Sequence, residues 1–241
     1  MPSEDLEPES GRTSATLAPP WHTFALVALI LTVALAGSLL GLAHSGGGGQ
    51  AAQNTPPVSR IFLQYLPLIV VNLGLVVYTT QLFRSGNALP ALLGKGWSSP
   101  RRAVLDLALA VGCGALICVL EFSYQQSFGV GHNAAVAKML PSTEAERLTW
   151  LFVAGSVGFC EELVYRGYLQ IQLSAFSGSA AVGIVLQAVL FGIAHLEQGL
   201  APACRAAGYG LALGVLARVR RSLLPGILCH VGIDLASSLF P

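Results

Sequence analysis

An apolar stretch in the second half of the chain carries charges that a membrane-like segment should not hold. Residues 151–158 are apolar and small, Cys160-Glu161-Glu162-Leu163-Val164-Tyr165-Arg166-Gly167 follow, and apolar residues resume at Tyr168 and Leu169. Each charge near a bilayer centre costs about 2.5–3.5 kcal/mol on insertion scales, so three together call for a purpose. A helix advances about 100° per residue. Glu162 and Arg166, four apart, therefore share a face, with Glu before Arg in the favoured order, and Arg166 can hold Glu162 as a carboxylate. Glu161 points about 100° away and has no partner within its own helix. One carboxylate reads as structural, the other as available for chemistry.

Two further polar intrusions follow. Phe191-Gly192-Ile193-Ala194-His195 closes one apolar run, and His230-Val231-Gly232-Ile233-Asp234 lies inside the last. Alone, His195 reads as an interfacial, hydrogen-bonded residue. His230 and Asp234, four apart on one face, read as a buried pair that locks helices together. Jointly, three interrupted apolar segments that supply Glu, Arg, two His and Asp point to one converging polar site. The sequence has no G-x-S-x-G, no H-E-x-x-H and no phosphate loop. Ser174, Ser177, Ser222, Ser237 and Ser238 sit in turns or near helix ends, without a nucleophile's context. A carboxylate in a dry site can act as a general base on water. One His can share that proton or polarise a carbonyl, and another can stabilise an oxyanion. Glu and His also ligate divalent metals, so metal-activated water stays open.

The elements that must position these groups are apolar helices. The 241 residues are 54% hydrophobic and 10% charged, with a mean hydropathy of +0.66, which places the chain with integral membrane proteins. A net charge of +1 suggests no nucleic-acid partner. Cys113, Cys118, Cys160, Cys204 and Cys229 lie in or beside apolar segments without a C-x-x-C pair and read as packing residues. Residues 1–20 read as a disordered acidic tail that lacks the basic start of a secretory signal. Spans are expected at 24–43, at 61–83 with Pro67 and Asn72 inside, and around 107–120, flanked by Asp106 and Glu121. Residues 46–59 form a flexible loop, and 84–102 a basic connector with a short interfacial helix at 88–93. A polar loop at 124–147 ends in Thr143 and Glu146, the spacing of a capping box. It opens a helix over 144–175, followed by a turn at 177–179, a span at 180–195, a loop at 196–205, a short segment at 206–217 and a last span at 223–240.

The predicted architecture is all-α, a polytopic bundle of about seven spans. A disordered tail (1–20) precedes a membrane scaffold (21–140) and a working module (141–241). With seven spans, the connectors carrying Arg84, Lys95, Arg101 and Arg102 and carrying Arg218, Arg220 and Arg221 fall on one side with the N-terminus. Arg60, Lys138, Arg147 and Arg205 lie opposite. The richer side belongs in the cytoplasm.

Taken in order, Glu161-Glu162-x-x-x-Arg166, Phe191-x-x-x-His195 and His230-x-x-x-Asp234 resemble the E-E-x-x-x-R, F-x-x-x-H and H-x-x-x-N/D motifs of the CPBP family of membrane proteases. That family includes CAAX prenyl endopeptidases of the Ras-converting type and bacterial bacteriocin-processing, immunity and lysostaphin-resistance-like relatives. Gly167-Tyr168-Leu169, Gln198-Gly199 and Arg221-Ser222-Leu223-Leu224-Pro225-Gly226-Ile227 share the likeness, which covers about residues 141–241. The resemblance implies an endopeptidase of a bacterial inner membrane acting on membrane-associated peptide or protein substrates, CAAX-like or bacteriocin-like. Glu161 and His195 would activate water, Glu162 would pair with Arg166, and His230 would serve the oxyanion. Asp234 stands where prenyl-processing members have Asn. An ionised Asp cannot donate to an oxyanion, so it must be protonated or orient His230 instead. The family's members are often named metalloproteases, yet the glutamate mechanism needs no metal, and no cofactor is expected here. Zinc would take Glu161, His195 and His230 as ligands. Two other readings compete: a non-catalytic immunity or partner-binding membrane protein using the same polar core, and a proton-coupled transporter, against which the lack of an inverted repeat argues.

Overall fold

The computed structural model describes residues 16–45, 60–81, 88–128 and 139–239. The expected tail before residue 16, the loop at 46–59, Arg84 and the middle of the 124–147 loop lie outside those residues. In chain order the helices are α1 (Pro20–Ser45), a π-helical turn (Ile61–Tyr65) running into α2 (Leu66–Thr80), α3 (Ala88–Leu93), α4 (Pro100–Phe128), α5 (Glu144–Glu161), a π-helical stretch (Glu162–Leu169), α6 (Gln170–Ser177), α7 (Ala180–Ala194), a 3-10 turn (Leu196–Gln198), α8 (Leu200–Arg220) and α9 (Leu224–Leu239). Among the described residues there is no strand, only one isolated antiparallel bridge between Gly94 and Ser222. Among the described residues five stretches are long and apolar enough to cross a membrane: 20–39, 61–80, 100–127, 144–177 and 200–220, with shorter apolar helices at 180–194 and 224–238. The fold is an all-α membrane bundle.

The bundle is organised for an apolar solvent. Phe24, Leu63, Val111, Phe152, Leu200 and Val219 are exposed, while His22, Asp106, Glu146, Glu162, Arg166, Gln172 and Gln187 are buried. With no water in lipid to satisfy polar groups, helices close their own backbone hydrogen bonds and turn polar side chains inward. The capping box forms at the start of α5: Glu146 N–H donates to Thr143 Oγ1 at 3.3 Å and Thr143 N–H donates to Glu146 Oε2 at 3.1 Å. The same carboxylate accepts from Ser142 N–H at 2.7 Å and from Arg60 Nη1 at 3.1 Å, tying α5 to the start of the second span. Gly178, at φ 68°, ends α6 in the left-handed conformation that glycine adopts without strain, and Ser179 caps α7.

Two boundaries differ from expectation. The loop foreseen at 196–205 and the short segment at 206–217 give way to a 21-residue α8. Pro202 falls in its first turn, where a missing N–H costs nothing. Arg205, read as a loop residue, is neutralised by Glu121 Oε2 at 3.2 Å. Likewise the basic connector ends at Ser99, and Arg101 and Arg102 lie in the first turn of α4. The antiparallel α4 and α8 are thus clamped at both ends, Asp106 to Arg220 at 2.7 Å and Glu121 to Arg205. Each pair of positions is fifteen residues apart, about 22 Å along the helix axis. The two basic connectors placed on one side by the charge count touch each other: Lys95 N–H donates to Arg221 O at 2.8 Å and Leu223 N–H to Leu93 O at 2.9 Å.

Helix α1 is docked to the second half of the chain by polar groups. Tyr78 O can only accept, so the His22 hydrogen is assigned to Nε2, which donates to it at 3.1 Å, and Nδ1 accepts from Tyr168 O–H at 2.6 Å. Gln172 donates to Ala18 O and Thr23 Oγ1 and accepts from Leu17 and Ala18 N–H. We predict that Tyr168→Phe, which strands the buried His22 Nδ1, lowers stability by about 1–3 kcal/mol. Denaturant titration in mixed micelles measures it, and an unchanged midpoint would contradict this docking role.

Candidate active site

The three polar intrusions meet where α5, the π-helical stretch, α7 and α9 pack together. Glu161 is the last residue of α5, and Glu162 opens the π-helical stretch, all eight residues of which are buried. A π register, with hydrogen bonds from i to i+5, recurs at functional sites inside longer helices. Here the helix expected to run unbroken over 144–175 changes register at the residues that carry the charges.

Arg166 Nη1 lies 2.9 Å from Glu162 Oε1, with both side chains wholly removed from solvent. The contact is one of charge: among the described residues, none of the three Arg166 nitrogens meets an acceptor in hydrogen-bond alignment. The guanidinium carbon sits 4.4 Å from the centre of the Phe191 ring, a cation–π contact strengthened by the lack of water.

His230 Nδ1 is 3.0 Å from Glu162 Oε1. A carboxylate only accepts, so the hydrogen is assigned to Nδ1 and Nε2 faces the site. Nε2 lies 3.7 Å from Glu161 Oε2 and 3.9 Å from Asp234 Oδ2. Both gaps exceed a direct hydrogen bond and are too short to hold a water between the atoms, so a shared water would sit beside them. The Glu161 side chain is 18% exposed, whereas that of Glu162 is 0%. Asp234 does not supply the close contact that fixes His230. Glu162, read as structural, does so.

His195 ends α7. Its Nδ1 donates to Phe191 O at 2.7 Å, which leaves Nε2 as a bare acceptor. Among the described residues the imidazole within 4.0 Å of Glu161 is that of His230, so Glu161 and His195 are not in direct contact. His195 joins the cluster through Phe191, whose ring centre is 4.6 Å from its own, 6.1 Å from that of His230 and 4.9 Å from that of Tyr165. Sequence reasoning quoted Phe191 as a motif letter and gave it no task. Its position four residues before His195, on the same helix face, was the available signal.

Small residues let the helices approach. A Cβ on Gly158 would lie 2.7 Å from Val231 Cγ2 and 3.0 Å from Val231 N, and one on Gly226 would lie 3.0 Å from Glu162 Oε2. The first contact brings α9 against α5 and the second brings it against the π-helical stretch, and Trp150 Nε1 holds α9 to α5 by donating to Asp234 O at 3.0 Å. Catalytic zinc takes about three protein ligands, yet among the described residues no three of His, Cys, Asp and Glu converge as a metal site requires. The set Glu161, His195 and His230 does not fit zinc in this geometry. All five cysteines are free thiols.

Residues 143–236 match the family model described as Type II CAAX prenyl endopeptidase Rce1-like. Among curated proteins and among solved structures nothing matches.

Removing Arg166 leaves Glu162 buried beside one imidazole. We predict that Arg166→Ala costs about 3–5 kcal/mol, while Arg166→Ala combined with Glu162→Gln recovers part of that loss because no unpaired charge remains. A double-variant cycle of melting curves checks this; a fully stable Arg166→Ala protein would overturn the pairing.

Proposed function

We propose, from the premise that residues 143–236 form an Rce1-like domain of a membrane-protease family, that the chain is a membrane-embedded endopeptidase. It hydrolyses peptide bonds of membrane-associated substrates, CAAX-like or bacteriocin-like, with Glu161 as the base. The observation that carries this reading is the gap of 3.7 Å between Glu161 Oε2 and His230 Nε2. It brings a partly exposed carboxylate and an oriented imidazole so close that one water lying beside the pair can touch both.

Water held beside that pair loses a proton to Glu161 as its oxygen adds to the scissile carbonyl carbon. Protonated Glu161 then returns the proton to the leaving nitrogen as the C–N bond breaks. His230, fixed through Nδ1 by Glu162, presents Nε2–H to the oxyanion when doubly protonated. His195, bonded through Nδ1 to Phe191 O, keeps Nε2 as an acceptor. Asp234, in the place of a donor Asn, supports the charge on His230. General base catalysis contributes about 10²–10⁴-fold, and an oxyanion donor roughly 10²–10³-fold.

The reading is metal-independent. The cation of Arg166 beside Glu162 disfavours a second cation nearby, and Glu161 is sufficient as a base. The connectors bearing Lys95, Arg102, Arg220 and Arg221 face the cytoplasm with the N-terminus, as expected for an inner-membrane protein of a bacterium.

We predict that Glu161→Gln lowers peptide cleavage by about 10²–10⁴-fold with the melting curve unchanged, and that chelators leave the parent's turnover intact. The assay compares protein N-termini in cells carrying either form, and turnover of a farnesylated CAAX peptide by purified protein in micelles. Identical N-termini in both cell populations would refute the endopeptidase. Activity lost to chelator and restored by zinc would refute the metal-free mechanism alone.

A further inference from the structure

The meeting point of the two basic connectors encloses a pocket of about 360 Å³, separate from the Glu161 cluster. Lys95, Arg102, Arg220 and Arg221 line it, with Asp106 and Val219. The single carboxylate is already spent. Asp106 Oδ1 accepts from Arg220 Nε at 2.8 Å and Nη2 at 2.7 Å, and Oδ2 accepts from Trp97 Nε1 at 3.0 Å. Among the described residues, no carboxylate lies within 4.0 Å of the Lys95, Arg102 or Arg221 side chains. Three cations therefore share one concavity with their charge uncompensated.

The backbone gives an independent sign. Arg221 has φ 52° and ψ 38°, the left-handed conformation at the end of α8 where glycine is usual. Among the described residues it is the one non-glycine with positive φ, at a conformational cost of about 1–2 kcal/mol. Its carbonyl is pinned by Lys95 N–H at 2.8 Å, and Gly94, at φ 76°, comes so near that an added Cβ would lie 2.5 Å from Arg221 O. A strained arginine kept where glycine would relax the turn points to a use for its side chain.

We infer that this pocket binds a phosphate group, carried by an anionic lipid headgroup or free in solution. Guanidinium forks match phosphate oxygens two at a time, and the lysine adds a point charge. Basic pockets between helices at a membrane face hold anionic headgroups in this way. Val219 is 73% exposed and Trp97 52% exposed at the rim, an apolar path for acyl chains beside an interfacial tryptophan. A bound phosphate would join α3, α4 and α8 just ahead of α9, the helix that carries His230.

The test uses purified full-length protein in micelles and native mass spectrometry, with dioleoyl phosphatidylglycerol, dioleoyl phosphatidylcholine and inorganic phosphate as probes. The wild type should retain one phosphatidylglycerol in preference to phosphatidylcholine. Lys95→Gln with Arg102→Gln, and separately Arg221→Gly, should weaken that retention about tenfold or more, the loss of a charge-assisted pair. Retention should fall as salt rises from about 0.05 to 0.5 M, since screening shortens the reach of exposed charge. If inorganic phosphate displaces the lipid and raises the melting midpoint of the wild type alone, free phosphate suffices. If the lipid stays bound against it, the headgroup in its lipid is the ligand. Equal retention by wild type and variants, or no binding of either anion, would overturn the proposal. Should the variants fail to fold, salt-insensitive retention by the wild type would do the same.

Discussion

A guanidinium and a carboxylate shut away from solvent, Arg166 and Glu162, set the terms for the centre of this bundle. Desolvating two such charges costs several kcal/mol each, and their attraction offsets that only when further partners complete the cluster. Helices α7 and α9 each supply one, while Glu162 Oε2 and the three Arg166 nitrogens stay without a hydrogen-bond partner among the described residues. Helix α7 lays the Phe191 ring on the guanidinium, α9 brings His230 Nδ1 to the carboxylate, and Gly226 leaves room for its second oxygen. The demand to neutralise one buried carboxylate therefore fixes where α7 and α9 cross the π-helical stretch. Glu161, one residue earlier and turned off that face, inherits the edge of the cluster. It is partly open to solvent, as is Asp234, and among the described residues has no guanidinium of its own.

Much of this was legible in the sequence because it is periodic or local. The seven apolar segments follow from composition and length, the capping box from the spacing of Thr143 and Glu146, and the Glu162–Arg166 pair from a separation of four. The change to a π register was not legible: Glu162 and Arg166 stay on one side of the helix in either register, so residue spacing carries no mark of it. The start of α8 was missed because Pro202 and Arg205 resemble loop residues until Glu121, 84 positions away, is seen to neutralise the charge. His230 on Glu162 and His22 on Tyr168 are likewise contacts between distant helices. No period encodes them. The docking of α1 through His22, Thr23 and Gln172 binds the first span to the segment that carries the site, although its own sequence reads as a plain apolar run.

Distances along the helices follow from the same contacts. The ion pairs that clamp α4 to α8 lie about 22 Å apart along the axis, against roughly 30 Å for a hydrocarbon core. His230 sits six residues into α9, roughly 9 Å from the end where the basic connectors meet. In apolar surroundings each unsatisfied backbone group costs several kcal/mol, so unpartnered polar side chains at such a site matter. The groups there with unspent hydrogen-bonding capacity and some access to solvent are Glu161, Asp234 and the two imidazoles, whereas Glu162 Oε2 and the three Arg166 nitrogens, also without hydrogen-bond partners among the described residues, are sealed from solvent.

The histidines show how that capacity is apportioned. His22 is spent at both nitrogens, donating to Tyr78 O and accepting from Tyr168 O–H, and its ring stacks on Tyr78 with centres 4.1 Å apart. It can hold helices together and do nothing else. His195 and His230 each commit Nδ1 alone, one to the Phe191 carbonyl and the other to Glu162. Each hydrogen bond fixes the ring and the tautomer, and leaves Nε2 for the site. Residue type does not separate the structural imidazole from those suited to chemistry, since all three sit in or at the end of apolar helices. The separation lies in the count of partners: a ring bonded at two nitrogens is a strut, and a ring bonded at one is oriented with a nitrogen to spare. By that criterion the nitrogens able to exchange a proton in the described part of the bundle belong to the two residues that flank Phe191, whose ring also carries the Arg166 guanidinium.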